Sequence, residues 1–364
     1  MHLEFTAEQD ELRDGVRTLL ARECPISLVR EVVEKGATPD ALWARMVELG
    51  WPALTVPEEA GGLGMGAVEL AVVVEELGRV LAPGPFVPTV TQFAPVVAEA
   101  GSPEQQQRFL GGVAAGETTG ALALVEDDGS IDAGRVSSTA SLDGDGFVLE
   151  GTKTAVLEAE SADEIVVVAR RPDVDDGVGA FVVPRTEARV DPIDAFDPSR
   201  PLARVTLDAV RVGADRVLGE PGPATAAAVG RAVEVATAAL AVETVGAAQA
   251  IFDITLAYAK QREQFGAPIG SFQAIKHKFA DMLVTLERAR ATSYFAALTI
   301  AEDDERRSLA ASTAKAAAGD CAALLAKEGI QIHGGIGYTW EHDMHLYVRR
   351  VRSNSVLFGN AGQH

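Results

Sequence analysis

Residues 224–261 are the feature that most restricts how this chain can fold. The stretch is rich in alanine and valine, and it is almost apolar around its whole circumference when it is drawn as a helix. A helix without a polar face needs apolar neighbours on every side, so it belongs in a protein core or a subunit interface. We therefore predict one long buried helix over residues 224–261.

Helical patterns also occupy the rest of both ends of the chain. Further helices are predicted at about 271–302 and 305–330, and a last one begins at His342. Near the N-terminus, Thr6 with Gln9 three residues later is a capping-box pattern, which predicts that a helix begins there. Residues 1–117 as a whole are predicted to be helical, because apolar residues recur at helical spacing.

The middle of the chain, residues 118–225, has a different pattern. Short β-branched runs alternate with Gly, Asp and Pro, and residues 143–146 form a Gly- and Asp-rich hairpin signal. Five or more such runs predict a small antiparallel barrel or sandwich. The fold class is therefore α+β with several domains: helical over 1–117, β over 118–225, and a four-helix bundle over 226–364.

Charge and cysteine content limit the classes of function. The formal net charge is −21, which argues against nucleic acid as a partner because its phosphates would be repelled. The two cysteines lie far apart without a partner motif, so neither a disulfide framework nor a metal site is predicted. No uninterrupted apolar run reaches the roughly 20 residues of a membrane span. The acidic N-terminus is unlike a signal peptide, so we predict a cytoplasmic protein.

Four short motifs follow one another in the C-terminal region. They are R-x-x-F-G at 262–266, F-Q at 272–273, A-D-M at 280–282 and Q-x-x-G-G-x-G at 331–337. In this order and spacing they resemble the C-terminal helical domain of the acyl-CoA dehydrogenase family, flavoenzymes that desaturate acyl-CoA thioesters. The N-terminal pattern F-T-A-E-Q, L-G-W and V-P-E-E-A-G-G-L-G also resembles that family, so the resemblance covers essentially the whole chain.

Desaturation of a thioester requires a base for the α-proton and an acceptor for the β-hydride. No amino-acid side chain accepts a hydride, so the resemblance implies FAD. It implies that Arg262 reaches the pyrophosphate or adenosine of FAD and that Gln264 and Phe265 line it. A different interpretation makes Arg262 a cation at a helix C-terminus and Gly266 the glycine that ends that helix.

The resemblance implies a second group of cofactor residues in the glycine-rich motif. Gln331, Gly334 and Gly335 would approach the same phosphates across a dimer interface. Glycine suits that position because a residue without a Cβ lets the backbone come close to a ligand.

The β region departs from the family at the positions that would contact the flavin. Where the family has L-T-E-P-x-x-G-S-D, residues 124–130 read LVEDDGS, so a hydroxyl is replaced by Val125. The aromatic ring expected to pack on the flavin is replaced by Ala155, and another hydroxyl by Leu157. Ser130 remains as a polar contact. This half of the flavin site is therefore either more apolar than usual or lost.

The catalytic base is missing from both places where the family carries it, because those positions hold Phe358 and Ala236. Glu243 lies two turns after Ala236 on the same helix and is the candidate base. Alternatively, Glu243 is a structural carboxylate paired with an arginine, since an unpaired one in so apolar a stretch costs several kcal/mol.

Two functions remain open. The first is an FAD-dependent acyl-CoA dehydrogenase with an unusual base, acting on a substrate that could be as bulky as a steroid side-chain CoA ester. The second is a non-catalytic or half-site subunit that completes the FAD site of a related chain. The implied partners are an acyl-CoA, an electron-transfer flavoprotein as acceptor, and other chains in a homo- or hetero-tetramer.

Overall fold

The computed structural model describes residues 4–364, with helices in the first and last parts of the chain. The N-terminal helices are α1 Ala7–Glu23, α2 Ile26–Lys35, α3 Asp40–Glu48, α4 Ala67–Arg79, α5 Phe86–Pro88, α6 Ala94–Ala100 and α7 Pro103–Ala114. The predicted capping box at α1 is present. The Thr6 side chain accepts from the Gln9 amide, and the Gln9 side chain accepts from the Thr6 amide. Two backbone donors are thereby satisfied where the helix begins.

The middle region forms one eight-stranded sheet. Its strands are β1 Gly120–Ala123, β2 Thr139–Asp143, β3 Gly146–Leu157, β4 Glu164–Arg170, β5 Val178–Pro184, β6 Arg189–Ile193, β7 Leu202–Val212 and β8 Val217–Leu218. The order is β6-β7-β3-β2-β4-β5-β8, and β1 lies beside β4. The predicted hairpin joins β2 to β3, with Asp143 paired to Gly146. Buried apolar side chains of these strands, such as Leu149, Ile165 and Phe181, form the core.

One detail of the sheet differs from the sequence prediction. We expected antiparallel strands, but β1 pairs with β4 in parallel, with Gly120 opposite Glu164. A single parallel pair also joins β2 to β4. Parallel neighbours are not connected by a tight turn, so no local turn residues announce them.

The C-terminal region returns to helix after residue 222. Its elements are α8 Pro223–Gln261, β9 Glu263–Gln264, β10 Ala267–Pro268, α9 Gln273–Ala301, α10 Arg307–His333 and α11 Met344–Asn354. By length and composition α8 could cross a membrane, but 89% of its most apolar window is buried inside the protein. It is therefore a core helix, as its uniform apolar surface predicts.

Contacts divide the chain into two compact units that do not follow the three sequence regions. Unit 1 comprises the chain up to Ala37, Ala71–Ala82 and Thr237–His364, whereas unit 2 comprises Thr38–Leu70 and Pro83–Ala236. The division at 117 and 225 remains a division by secondary structure, which changes between α7 and β1 and again between β8 and α8.

Two glycines let α4 and α8 cross at backbone contact inside unit 1. A Cβ on Gly78 would lie 2.2 Å from the Glu243 carbonyl oxygen, and one on Gly246 would lie 2.0 Å from the Glu75 carbonyl oxygen. Real Cβ atoms do not approach backbone this closely, so only glycine permits the crossing. The crossing fixes where the Glu243 side chain enters the core of this unit.

Candidate functional site

The R-x-x-F-G motif forms a tight hairpin directly after α8. Phe265 and Gly266 join β9 to β10, and their φ angles of 54° and 79° both lie in the left-handed region. Gly266 is therefore a hairpin residue and not the glycine that ends α8. A non-glycine residue in this region costs of the order of 1–2 kcal/mol.

The groups that this hairpin carries point away from the core. Phe265 is 95% exposed, and Arg262 and Gln264 are exposed beside it. Strain and an exposed ring at one residue are typical of binding sites. An aromatic face, an amide and a cation are also groups that suit the flat, anionic part of a dinucleotide.

The glycine-rich motif follows α10 as a short 3-10 turn, Gly334–Tyr338. Gln331, Gly334 and Gly335 are all exposed. Gly334 has φ 65° and ψ −140°, which a residue with a side chain rarely adopts. Gly335 is not left-handed, and a Cβ there would meet nothing within 4 Å. The chain itself gives no steric reason for glycine at 335, which fits a ligand that approaches the backbone closely.

The two motifs lie at neighbouring helix ends of unit 1. Tyr258, one turn before Arg262, stacks on His333 with ring centroids 4.4 Å apart. The His333 Nδ1–H donates to the Gly329 carbonyl at 2.7 Å, while its buried Nε2 has no partner. Burial lowers the pKa of His333, so the neutral ring is favoured. The stack therefore links the end of α8, just before the hairpin, to the end of α10, just before the glycine-rich turn.

The β half of the predicted site contains a buried ion pair between Lys153 of β3 and Glu126, which follows β1. Lys153 is fully buried, and its Nζ lies 2.7 Å from Glu126 Oε1. Burial raises the pKa of Glu126, but bonds from Lys153, Ser137 and Ser138 outweigh it and hold that pKa at about 2. Ser130 is half-buried, and its Oγ accepts from the Asp132 amide at 3.2 Å. The buried polar groups of this region are therefore hydrogen-bonded to one another.

The three replacements at positions that the family resemblance assigns to flavin contact lie near this ion pair in the sequence. Ala155 is left-handed at φ 52°, within an irregularity of the β3–β7 pairing between Lys153 and Val156. Val125 is half-buried and Leu157 is buried. Unit 2 therefore contains a buried Lys153–Glu126 ion pair, while the three side chains at the positions expected to contact a flavin are small or apolar.

The first expected base position is occupied by Phe358, whose side chain is buried and whose φ is 53°. Backbone bonds hold this turn: His364 Nε2 lies 2.8 Å from the Phe358 oxygen, and Lys315 Nζ donates to the Gly359 oxygen at 2.6 Å. Burial lowers the pKa of Lys315 to about 8. The second expected position, Ala236, is fully buried. Neither residue can remove a proton.

Glu243 is held at both of its carboxylate oxygens in the core of unit 1. Its side chain is 1% exposed, Arg350 Nη1 donates to Oε1 at 2.8 Å, and Asn354 Nδ2 donates to Oε2 at 3.0 Å. A general base must come within hydrogen-bond reach of the proton that it removes. The placement favours the structural role for Glu243, and it gives the catalytic role no geometrical support.

Sequence reasoning missed the partners of these groups. Arg350, Asn354 and Lys315 are distant in the chain from the groups that they bond. The available signal was a lone lysine at 315 within an alanine-rich helix. Among residues 4–364 no cluster of three or more His, Cys, Asp or Glu is placed to hold a metal ion.

Comparison with known proteins decides the family. The descriptions "Acyl-CoA dehydrogenase, N-terminal domain", "middle domain" and "C-terminal domain" match residues 6–117, 121–210 and 226–363. The acyl-CoA dehydrogenase IpdE2 of Mycobacterium tuberculosis is 33% identical over 352 residues, which cover 96% of this chain and 92% of that protein. The chain belongs to the acyl-CoA dehydrogenase family.

Solved structures of the family have the same fold. The ChsE4–ChsE5 complex from Mycobacterium tuberculosis has a TM-score of 0.90 and 27% identity, covering 100% of this chain and 96% of that chain. A variant of the Tcur3481–Tcur3483 steroid ACAD has a TM-score of 0.86 and 32% identity, covering 98% and 94%. Membership confirms the predicted fold class and the enzyme class, an oxidoreductase that acts on CH–CH groups. Members of the acyl-CoA dehydrogenase family are flavoproteins of fatty-acid metabolism.

Proposed function

We propose that this chain is the base-deficient subunit of a two-chain, FAD-dependent acyl-CoA dehydrogenase. One observation carries the proposal. All three positions considered for a base are unable to act, because they hold Phe358, Ala236 and a Glu243 that is bonded at both oxygens in the core. A related chain that carries a glutamate at the position of Phe358 would supply the missing group.

The chain's own contribution is to hold part of FAD. Arg262, Gln264 and Phe265 bind the pyrophosphate and adenosine end, with Arg262 as the neutralising cation. Gln331, Gly334 and Gly335 bring backbone N–H groups toward FAD phosphates across a dimer interface. Bound FAD accepts the hydride that no side chain can accept. The uneven state of the site supports this division, since the R-x-x-F-G and Q-x-x-G-G-x-G motifs of unit 1 are present and the replacements at 125, 155 and 157 are in unit 2.

The proposed substrate is a bulky acyl-CoA. Replacement of an aromatic ring by Ala155 leaves space, and replacement of two hydroxyls by Val125 and Leu157 removes polar groups. A similar structure at 32% identity is named as a steroid ACAD, which supports a steroid side-chain CoA ester. Another similar structure is a complex of two different chains, which supports assembly as a hetero-tetramer. An electron-transfer flavoprotein in the cytoplasm is the proposed acceptor, by analogy with the family.

Phe358→Glu tests the proposal by returning a carboxylate to the empty position. We expect the wild-type chain alone to give no dehydrogenation of added acyl-CoA above background, with or without added FAD. In the flavin-retaining assembly with a partner chain whose own glutamate is replaced by glutamine, Phe358→Glu should restore turnover, because general-base catalysis contributes about 10²–10⁴-fold. The measurement is reduction of an artificial electron acceptor under single-turnover and steady-state conditions. Phe358→Gln is the matched control, since it has nearly the same size as Glu and cannot take the proton.

Activity of the wild-type chain alone would contradict the proposal. If that activity were abolished by Glu243→Gln with flavin content unchanged, Glu243 would be the base and the chain would be a complete enzyme.

A further inference from the structure

A ring of polar contacts ties α2 to the loop that follows the glycine-rich turn. The Arg30 guanidinium donates through Nε to Asp343 Oδ1 at 2.7 Å and through Nη2 to the Trp340 carbonyl oxygen at 3.1 Å. It also donates through Nη1 to Glu34 Oε1 at 2.8 Å. The same Glu34 oxygen accepts from the Trp340 indole at 3.1 Å. One arginine and one glutamate of α2 thus hold a backbone oxygen, a ring and a carboxylate of the loop.

The geometry of this ring suits arginine. A planar guanidinium can bond three acceptors at once in fixed directions, whereas a lysine ammonium is a compact charge on a flexible stem. The Arg30 side chain is 22% exposed, so these bonds are only partly screened by solvent. Two further contacts stabilise Trp340. Its ring stacks on the His345 ring with centroids 4.4 Å apart, and the Arg349 guanidinium carbon lies over the Trp340 ring, 5.1 Å from its centroid.

The other end of the turn is fixed independently. His333 bonds to Gly329 on its own helix and stacks on Tyr258. The turn Gly334–Tyr338 is therefore held before and after, while Gly334 and Gly335 themselves have no neighbour within 4 Å of a Cβ position. Gly337 is buried and packs against His333, but the two glycines at the start of the turn have no packing of their own and therefore large conformational freedom. The conformation of the turn is therefore set by the contacts of His333 before it and of Trp340 and Asp343 after it.

We propose that Arg30 is a positioning residue for the glycine-rich turn, and that it raises the affinity of the chain for FAD without touching it. The inference rests on the proposed function, in which Gly334 and Gly335 face the FAD phosphates. An anchored turn has less ordering entropy to lose when a ligand binds, and the gain appears as affinity. Partners that orient a binding group from behind change ligand affinity by about 10–100-fold in metal sites, and we expect a loss of about tenfold here.

The test compares Arg30→Gln with the wild type in two measurements. The first is amide hydrogen exchange over residues 334–343, which needs no flavin. The second is the dissociation constant of FAD, measured by flavin fluorescence in the chain alone or in the complex with its partner chain, whichever retains flavin. Arg22→Gln is the control, because Arg22 lies on the neighbouring helix in an exposed pair with Glu23. We expect Arg30→Gln to speed exchange in 334–343 and to raise the dissociation constant about tenfold, and Arg22→Gln to do neither.

Two further variants separate the possible outcomes. Asp343→Asn removes the charge that pairs with Arg30 and so weakens the same set of contacts from the loop side. It can replace Arg30→Gln in both measurements if that variant does not fold. Arg30→Lys retains the charge near Asp343 and should recover part of the affinity. Faster exchange with an unchanged dissociation constant would make Arg30 merely structural and would overturn the proposal, as would unchanged exchange. If the wild-type complex binds no FAD, the proposed function fails at that step, and the exchange data still report whether the anchor exists.

Discussion

At the scale of single residues, the chain contains buried charges that serve structure. Glu243 neutralises Arg350 in the core of unit 1, and Lys153 neutralises Glu126 in unit 2. Lys315 is different, because the bond that its buried amine makes is to a backbone oxygen, at Gly359. It secures the turn that carries Phe358 at the cost of burying an amine without a carboxylate beside it.

Lys315 predicts a pH dependence of stability. Its folded pKa of about 8 lies below the reference value of 10.5, so between these values the unfolded chain binds a proton that the folded chain has released. The free energy of unfolding contributed by Lys315 therefore rises with pH across that window, by up to about 3 kcal/mol. Urea unfolding of the wild type and of Lys315→Met from pH 7 to 10.5 measures it, and the difference between the two should show the rise.

The comparison of the wild type with Lys315→Met is needed because the titration of other groups lowers the free energy of unfolding as pH rises. Burial raises the pKa of Cys24 and of Cys321 to about 12, which makes stability fall with pH in the alkaline range for both proteins. Lys327→Met is the control, since that lysine is exposed, and it should track the wild type. Parallel curves for the wild type and Lys315→Met would show that the amine is not desolvated.

At the scale of elements, the sequence predicted the local features and missed the non-local ones. The α1 capping box, the β2–β3 hairpin and the buried α8 were all predicted, because each is determined by residues close together in the chain. The parallel β1–β4 pair was not, since its strands have no connecting turn. The role of Glu243 stayed open for the same reason: its partner Arg350 is 107 residues away.

The α4–α8 crossing predicts opposite effects for glycine substitutions. Gly78→Ala and Gly246→Ala place a Cβ against a carbonyl oxygen, so each should destabilise unit 1 by about 1–3 kcal/mol or more through overpacking. Gly230 lies on α8 with nothing within 4 Å of its Cβ position, and Gly230→Ala should stabilise by up to about 1 kcal/mol through helix propensity. Thermal and chemical unfolding measure all three. A stabilising effect at either crossing glycine would mean that the helices do not meet there.

At the scale of the whole molecule, the sequence was enough to predict the family. It only partly predicted whether this chain is a complete enzyme or one subunit of a two-chain enzyme. Four ordered motifs were enough to predict the acyl-CoA dehydrogenase fold and enzyme class, which the comparisons confirm. The sequence also revealed the absent base at Phe358 and Ala236. It could not reveal that Glu243 is locked by Arg350 and Asn354, and this finding favours the two-chain function over the complete enzyme.

The measurement that tests this conclusion most directly is the visible absorbance spectrum of the purified chain expressed alone, with its flavin-to-protein ratio and its acyl-CoA dehydrogenation rate. We predict that the chain alone has far less than one FAD per chain and no turnover. Bound FAD and turnover should both appear on co-expression with a related chain that carries the glutamate. About one FAD per chain together with turnover by the chain alone would contradict the proposal, and would show that a complete site and a base exist within these 364 residues.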